Sequence, residues 1–223
     1  VIETQSFGFS FGFTNTSLKN EVIELGEGVE DIIFNRGLQR HAEGYSAGGF
    51  WQPEIRFDDA DGDGLIDYWD TNGDGVVSAS ESEVSLGENR YIGPALPTWQ
   101  RTVFADVRLF DWMTASTLFE GRGGHYTGND TEAFRCGFNS TRGCAAVADP
   151  NASLFEQARY ISDRYLGSAG GYVEKADFYR WRELSLSFRA PAVLVERFNR
   201  LSGLQLTLAG RNLALWTDYT GLD

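Results

Sequence analysis

An all-β fold, part of a large antiparallel transmembrane β-barrel with long extracellular loops, is what this sequence predicts from three observations. Apolar and polar residues alternate with period two over runs of about ten residues. The connections between those runs alternate between long and short, and aromatic residues gather at the ends of the runs.

The first run is the clearest. Phe7, Phe9, Phe11 and Phe13 alternate with Gly8, Ser10, Gly12 and Thr14, which puts four aromatics on one face of a strand and four small residues on the other. Residues 98–109 oppose Val103, Ala105, Val107 and Leu109 to Thr102, Phe104, Asp106 and Arg108, and residues 112–121 follow after a tight turn at Phe110 and Asp111. Later, Leu184, Leu186 and Phe188 alternate with Glu183, Ser185 and Ser187, and Leu204, Leu206 and Leu208 with Gln205, Thr207 and Ala209. Runs of about ten residues suit a tilted strand crossing a bilayer, whereas globular strands average about five to six. In a barrel, Phe7, Phe9, Phe11, Phe13, Leu184, Leu186 and residues 204–208 face lipid.

Residues 17–97 form a long connection, 110–111 a tight one, 123–172 a long one and 190–203 a shorter one, the long-outside, short-inside pattern of outer-membrane barrels. Trp99, Trp112, Tyr126, Tyr172, Tyr179, Trp181, Trp216 and Tyr219 lie near strand ends and are expected to form interfacial girdles, the alternative being core and edge packing in a soluble β-domain. A short helix is expected over residues 154–165, where Leu154, Ala158, Ile161 and Tyr165 share a face behind a cap at Asn151 or Ser153. Residues 193–201, after Pro191, predict a further helical turn.

Composition agrees with strands and turns: 16 Phe, 9 Tyr and 6 Trp stand against one Met, with 26 Gly. No run approaches the roughly 18–20 apolar residues of a spanning helix, so an α-helical membrane protein is excluded. The net charge of −13 argues against nucleic acid, whose phosphates need a basic surface, and the acid-rich loops suggest divalent cations instead. Cys136 and Cys144 could close a small disulfide ring on an exposed loop or remain two free thiols. The chain opens on Val1, carries no basic-then-apolar signal segment and ends just after a strand-like run, so it is expected to be a fragment.

Residues 58–81 carry the most specific local signal, two calcium-loop patterns laid end to end. In the second, Asp70, Asn72 and Asp74 supply side-chain oxygens at positions 1, 3 and 5, Gly75 turns the chain, Val76 offers its carbonyl, Ser78 sits where a water often bridges, and Glu81 binds at position 12. The first uses Asp59, Asp61, Asp63, the Leu65 carbonyl and Asp67, with Asp70 in place of the usual Glu at position 12. So many carboxylates in one short loop repel one another without a cation, and calcium suits them as a hard ion taking six to eight oxygens in a flexible shell. The bland alternative is an empty Asp/Gly-rich turn. Residues 51–57 look extended, so the expected role is a structural Ca2+ clamp and not a helix-opening switch.

Catalysis finds little support. His41 and His125, the only histidines, lack zinc-ligand spacing, and no nucleophile elbow, P-loop or dinucleotide fingerprint occurs. The chain is therefore expected not to be an enzyme.

Several segments resemble one known family. Residues 176–191 (ADFYRWRELSLSFRAP) and 206–223 (LTLAGRNLALWTDYTGLD) are similar to the C-terminal barrel strands of SusC/RagA-type TonB-dependent receptors, where a strand of the form SYLRLRNVTLGYxLP precedes one of the form RNLxxWTxYxGxDPE. Residues 44–51 resemble that family's GYPxGxFW segment, Asn72-Gly73-Asp74-Gly75-Val76 its DxNGDGxI loop, and residues 92–99 its xIGxxxPxW strand start. The matches follow the family's order across nearly all of residues 1–223.

The resemblance implies a 22-stranded barrel with an internal plug, working with a SusD-type surface lipoprotein and TonB to import oligosaccharides or peptides through the bacterial outer membrane. The lipid of that membrane would surround it. By the same resemblance only the late strands are present here, and the plug, TonB box and last strand are not. Two other classes compete. A secreted calcium-binding β-sandwich adhesin or carbohydrate-binding module predicts solubility without detergent. A glycoside hydrolase fragment with a dockerin-like loop predicts two carboxylates across a cleft.

Overall fold

The computed structural model describes residues 1–137, 144–197 and 201–222. In chain order the strands are β1 (Ile2–Glu3), β2 (Phe7–Ser17), β3 (Ile32–Phe34), β4 (Gln39–His41), β5 (Gly49–Phe57), β6 (Val84–Gly93), β7 (Trp99–Leu109), β8 (Met113–Gly123), β9 (Tyr126–Gly128), β10 (Val173–Lys175), β11 (Phe178–Arg189) and β12 (Gln205–Thr217). The helices are α1 (Asp130–Gly137), α2 (Leu154–Tyr165) and the short α3 (Ala192–Val195). These elements form two compact units.

The first unit comprises Val1–Leu18, Pro97–Gly123 and Asp177–Asp218 and is one antiparallel sheet in the order β1-β2-β7-β8-β11-β12. Directly opposed residues in such a sheet point to the same side, so the register sorts its side chains. One face carries the rows Phe9–Val107–Ala115–Leu186–Leu208 and Phe13–Val103–Phe119–Trp181–Ala214. The other carries Ser10–Asp106–Ser116–Ser185–Ala209 and Thr14–Thr102–Glu120–Arg180–Leu215. A bulge in β11 between Trp181 and Glu183 sends both Arg182 and Glu183 to the polar side, where Arg182 pairs with Glu120 and Glu183 with Arg211 at 3.1 Å. The long, strictly alternating runs are why these strands were legible in the sequence.

Two details differ from expectation. The closing pair Leu109↔Met113 leaves three residues in the hairpin turn, and Phe110 takes φ 54°. The Trp112 ring then lies 6.1 Å from Phe110 and 6.3 Å from Phe188, so stacking holds the longer turn. The helical turn expected over residues 193–201 is confined to α3, and residues 198–200 lie outside the described ones.

The second unit comprises Lys19–Leu96, Gly124–Ala176 and Tyr219–Asp223. It holds the sheet β3-β4-β5-β6, the pair β9-β10, and the helices α1 and α2. The two long connections of the sequence are thus folded, around Ile66, Val84, Cys136, Cys144, Ala158, Tyr160 and Ile161 in one cluster and Leu38, Phe50, Ala133, Ala169 and Tyr172 in another. Cys136 and Cys144 are disulfide-bonded. Helix α2 has the bounds its periodicity predicts.

Helix α1 was missed although its start has a signal: Asn129 caps it by accepting the Glu132 N–H at 3.1 Å, an Asn followed three residues later by Glu. Strands β3 and β4 are three residues each, too short for periodicity to register. Tyr126, Tyr172 and Tyr219 belong to this unit and not to a girdle. Tyr172 is buried in the second cluster, Tyr126 covers Gly93, and the Tyr219 hydroxyl donates to the Gly128 carbonyl at 3.3 Å.

Candidate metal centre

Strands β5 and β6 form a hairpin closed by Phe57↔Val84, and residues 58–83 are its connection. This connection is a doubled loop with a shared spine. Residues 67–69 pair antiparallel with 81–83 through the Tyr68↔Ser82 bridge, with Trp69 N–H donating to Glu81 O (3.1 Å) and Glu83 N–H to Asp67 O (3.0 Å).

On either side of that spine the chain makes the same turn twice. Gly62 and Gly64 take φ 75° and 88°, and Gly73 and Gly75, eleven residues on in each case, take 74° and 85°. Only glycine occupies this region without strain. Asp59 accepts the N–H of Gly62 (3.0 Å) on one oxygen and of Gly64 (3.0 Å) on the other, and Asp70 accepts those of Gly73 (2.7 Å) and Gly75 (2.7 Å) likewise. Asp61 accepts from Asp63 N–H and Asn72 from Asp74 N–H; Asp63 accepts from Leu65 N–H and Asp74 from Val76 N–H. Ile66 and Val77, at matching places, are both buried.

The acidic oxygens are drawn inward by these bonds. Carboxylate oxygens of Asp59, Asp61 and Asp63 lie within 4.8 Å of one another. A carboxylate oxygen has two lone-pair sites, so accepting one N–H leaves each able to bind a cation. The donor set is all hard oxygen, which fits calcium.

The sequence template and the folded loops part at position 12. Glu81 accepts the N–H groups of Thr71 (3.0 Å) and Asn72 (3.1 Å) on Oε1 and of Ser78 (3.1 Å) on Oε2, spanning positions 2, 3 and 9 of the second loop. In the first loop the group that spans positions 2 and 9 is Glu83, which accepts from Ala60 N–H (2.9 Å) and Asp67 N–H (2.8 Å). Asp70, counted as the twelfth residue of the first loop, directs both of its oxygens to the second. Counting along the chain misses Glu83 because it arrives across the spine and not at the next step of the loop. The available signal was the Glu81-x-Glu83 spacing, which on an extended segment puts both carboxylates on one side.

Electrostatics single out Glu81. The Thr71 hydroxyl first, then the Ser78 hydroxyl and N–H, hold its carboxyl down at about 2. Helix α2 fixes the first loop from outside: the fully buried Gln157 donates to Gly64 O (2.8 Å) and accepts from Ile66 N–H (2.9 Å). The histidines serve local structure. His41 Nδ1 accepts from Gly48 N–H at 3.0 Å, and the His125 carbonyl from Ala176 N–H at 3.0 Å.

No family model matches the sequence, and no curated protein does. Among solved structures, the chain is similar to the RagAB peptide transporter with a TM-score of 0.69 at 16% identity, over 99% of this chain and 24% of that one. It is also similar to the RagAB peptide importer in the "open-open" state (TM-score 0.65, 16% identity, 99% and 24%) and the "closed-closed" state (0.64, 16%, 99% and 25%). The chain spans about a quarter of the length of those proteins. At the level of fold, this bears out the resemblance to SusC/RagA-type receptors carried by the sequence motifs.

Proposed function

We propose that this chain forms late strands and outer loops of a TonB-dependent outer-membrane transporter of the SusC/RagA type, which imports oligosaccharides, peptides or similar nutrients with a SusD-type lipoprotein as its surface partner. The observation that carries this is the two-faced sheet. Phe11, Phe13, Leu206 and Leu208 on its apolar face are each more than half exposed, which a sandwich core would not leave. From Trp99 to Leu109, β7 runs ten residue steps, about 33 Å at ~3.3 Å each, and a tilt near 40° reduces this to about 25 Å, the height of a barrel's apolar band. Trp99, Tyr179 and Trp216 stand at one end of the face and Trp112 at the other, as interfacial girdles do. The polar face, with its Glu120–Arg182 and Glu183–Arg211 pairs, suits the inside of a barrel. The long connections leave from the Trp99 end, which we assign to the cell exterior.

In the outer loop residues 58–83, Asp59, Asp61, Asp63, the Leu65 carbonyl and Asp67, with Glu83, would hold one Ca2+. Asp70, Asn72, Asp74, the Val76 carbonyl, Ser78 and Glu81 would hold a second. The ion would supply positive charge that locks the carboxylates together and stiffens the loop. Transport is tested by deleting the gene and comparing growth on single peptides or oligosaccharides, with and without an uncoupler. Loss of growth on one class, mimicked by the uncoupler, is the expected result; unchanged uptake of every class would sink the transporter assignment.

A further inference from the structure

Within the strands of the apolar face, one charged side chain occurs among the described residues: Arg101. It stands in the row Asn15–Arg101–Gly121–Tyr179–Trp216, one row beyond the last fully apolar one and beside Trp99. Its guanidinium lies 4.9 Å from the centre of the Trp99 ring, and its Nε donates to the Asn15 side-chain oxygen at 3.3 Å. Trp99 in turn lies 5.7 Å from Tyr179.

Both rings cover Gly121, where a Cβ would come within 2.6 Å of Tyr179 and 3.3 Å of Trp99. The absence of a side chain at Gly121 therefore leaves room for both rings, tilted 34° to each other, with Trp99 under the arginine. Arg101 is exposed, and no carboxylate pairs with it among the described residues.

An arginine without a carboxylate is costly on a lipid-facing surface unless it reaches the headgroup layer. The aromatic row places Arg101 at that layer. A guanidinium presents a fork of N–H donors matched to phosphate oxygens, and stacking on Trp99 holds it without using most of those donors.

We propose that Arg101, stacked on Trp99 beside Tyr179, binds the headgroup phosphate of a lipid in the leaflet at the loop-bearing end of the sheet. The inference rests on the proposed membrane orientation and adds a specific annular lipid site to it.

The test is native mass spectrometry of the complete receptor released from nanodiscs containing phosphorylated lipid A, with discs of the same lipid lacking its phosphates as the second arm. Arg101→Gln should weaken retention of one phosphorylated lipid about fivefold, the value of one cation near an anionic surface. Arg101→Lys should keep most of it, and Arg122→Gln on the polar face should change nothing. Equal retention by Arg101→Gln, or equal retention of the phosphate-free lipid, overturns the proposal. Displacement by excess inorganic phosphate would assign the site to the free anion and overturn the lipid. Heat-modifiable migration of each variant reports barrel insertion independently. If the wild-type protein fails to insert, the membrane assignment itself falls and takes this site with it.

Discussion

Glu81 and Glu83, two residues apart on the spine of the acidic loop, each gather N–H groups from opposite ends of a different turn. Their substitutions should therefore separate. Calcium titration by calorimetry is expected to show two binding events in the wild-type protein, with Glu81→Gln removing one and Glu83→Gln the other; a Glu83→Gln variant with two intact events would return position 12 of the first loop to Asp70. Acid gives a second measurement. The Glu81 carboxyl is held at about 2, below its ordinary value of 4.5, so the order it confers is fully present above pH 4.5 and is lost as pH falls towards 2. Amide exchange at Thr71 and Ser78 should accelerate across that window, and an exchange rate flat from pH 5 to about 2, after correction for intrinsic chemistry, would contradict it. The ligand types were legible in the sequence because the glycine and acid spacing is local. Glu83 was not, because its partners are brought to it by strand pairing.

At the scale of elements, Gln157 ties α2 to the first acidic turn with two hydrogen bonds in a fully buried setting. Gln157→Met keeps the volume but strands the Gly64 carbonyl and the Ile66 N–H, at about 1–3 kcal/mol for each buried group left unpaired. Hydrogen exchange at Ile66 should rise while exchange in β7 and β8 stays unchanged. In the large sheet, Gly12 is bare because the Phe104 ring crosses it, and a Cβ there would overlap the ring. Gly12→Ala is expected to cost about 1–3 kcal/mol, and Phe104→Leu in the same chain should recover part of that, a coupling measured by a double-mutant cycle in urea. The long strands and α2 were legible because their periodicities run for three or more repeats. Strands β3 and β4 and helix α1 were not, since three residues of strand or little more than two turns of helix cannot establish a period.

Across the whole molecule, the two faces of the sheet predict opposite tolerances. Ala115 and its neighbour Ser116 differ by one step along β8 but point to the apolar and polar sides. Ala115→Arg should destabilise the protein in lipid vesicles by about 2–4 kcal/mol, the value at the bilayer midplane, while Ser116→Arg should stay within about 1 kcal/mol. Equal costs in urea unfolding would show that the faces do not meet different solvents. The sheet and its sidedness could be read from alternation alone, but the folding of the long connections into a unit with its own cores could not. Their contacts join residues such as Ile66 and Ile161, far apart in sequence and without shared periodicity.

Unequal connection lengths also set an order of assembly. The hairpin β7–β8 closes across three residues, whereas pairing β2 with β7 must first bring together the ends of a connection of roughly 80 residues, at an entropic cost about 3 kcal/mol larger for a flexible chain. Leu18 N–H meets Thr98 O at 2.8 Å where that connection begins and ends. If residues 19–96 first pack with residues 124–176 around the two clusters they share, their termini no longer wander, and β2 can join a β7–β8 hairpin already formed. Variants that loosen the shared core, Ile161→Ala among them, should then slow the closing of the large sheet.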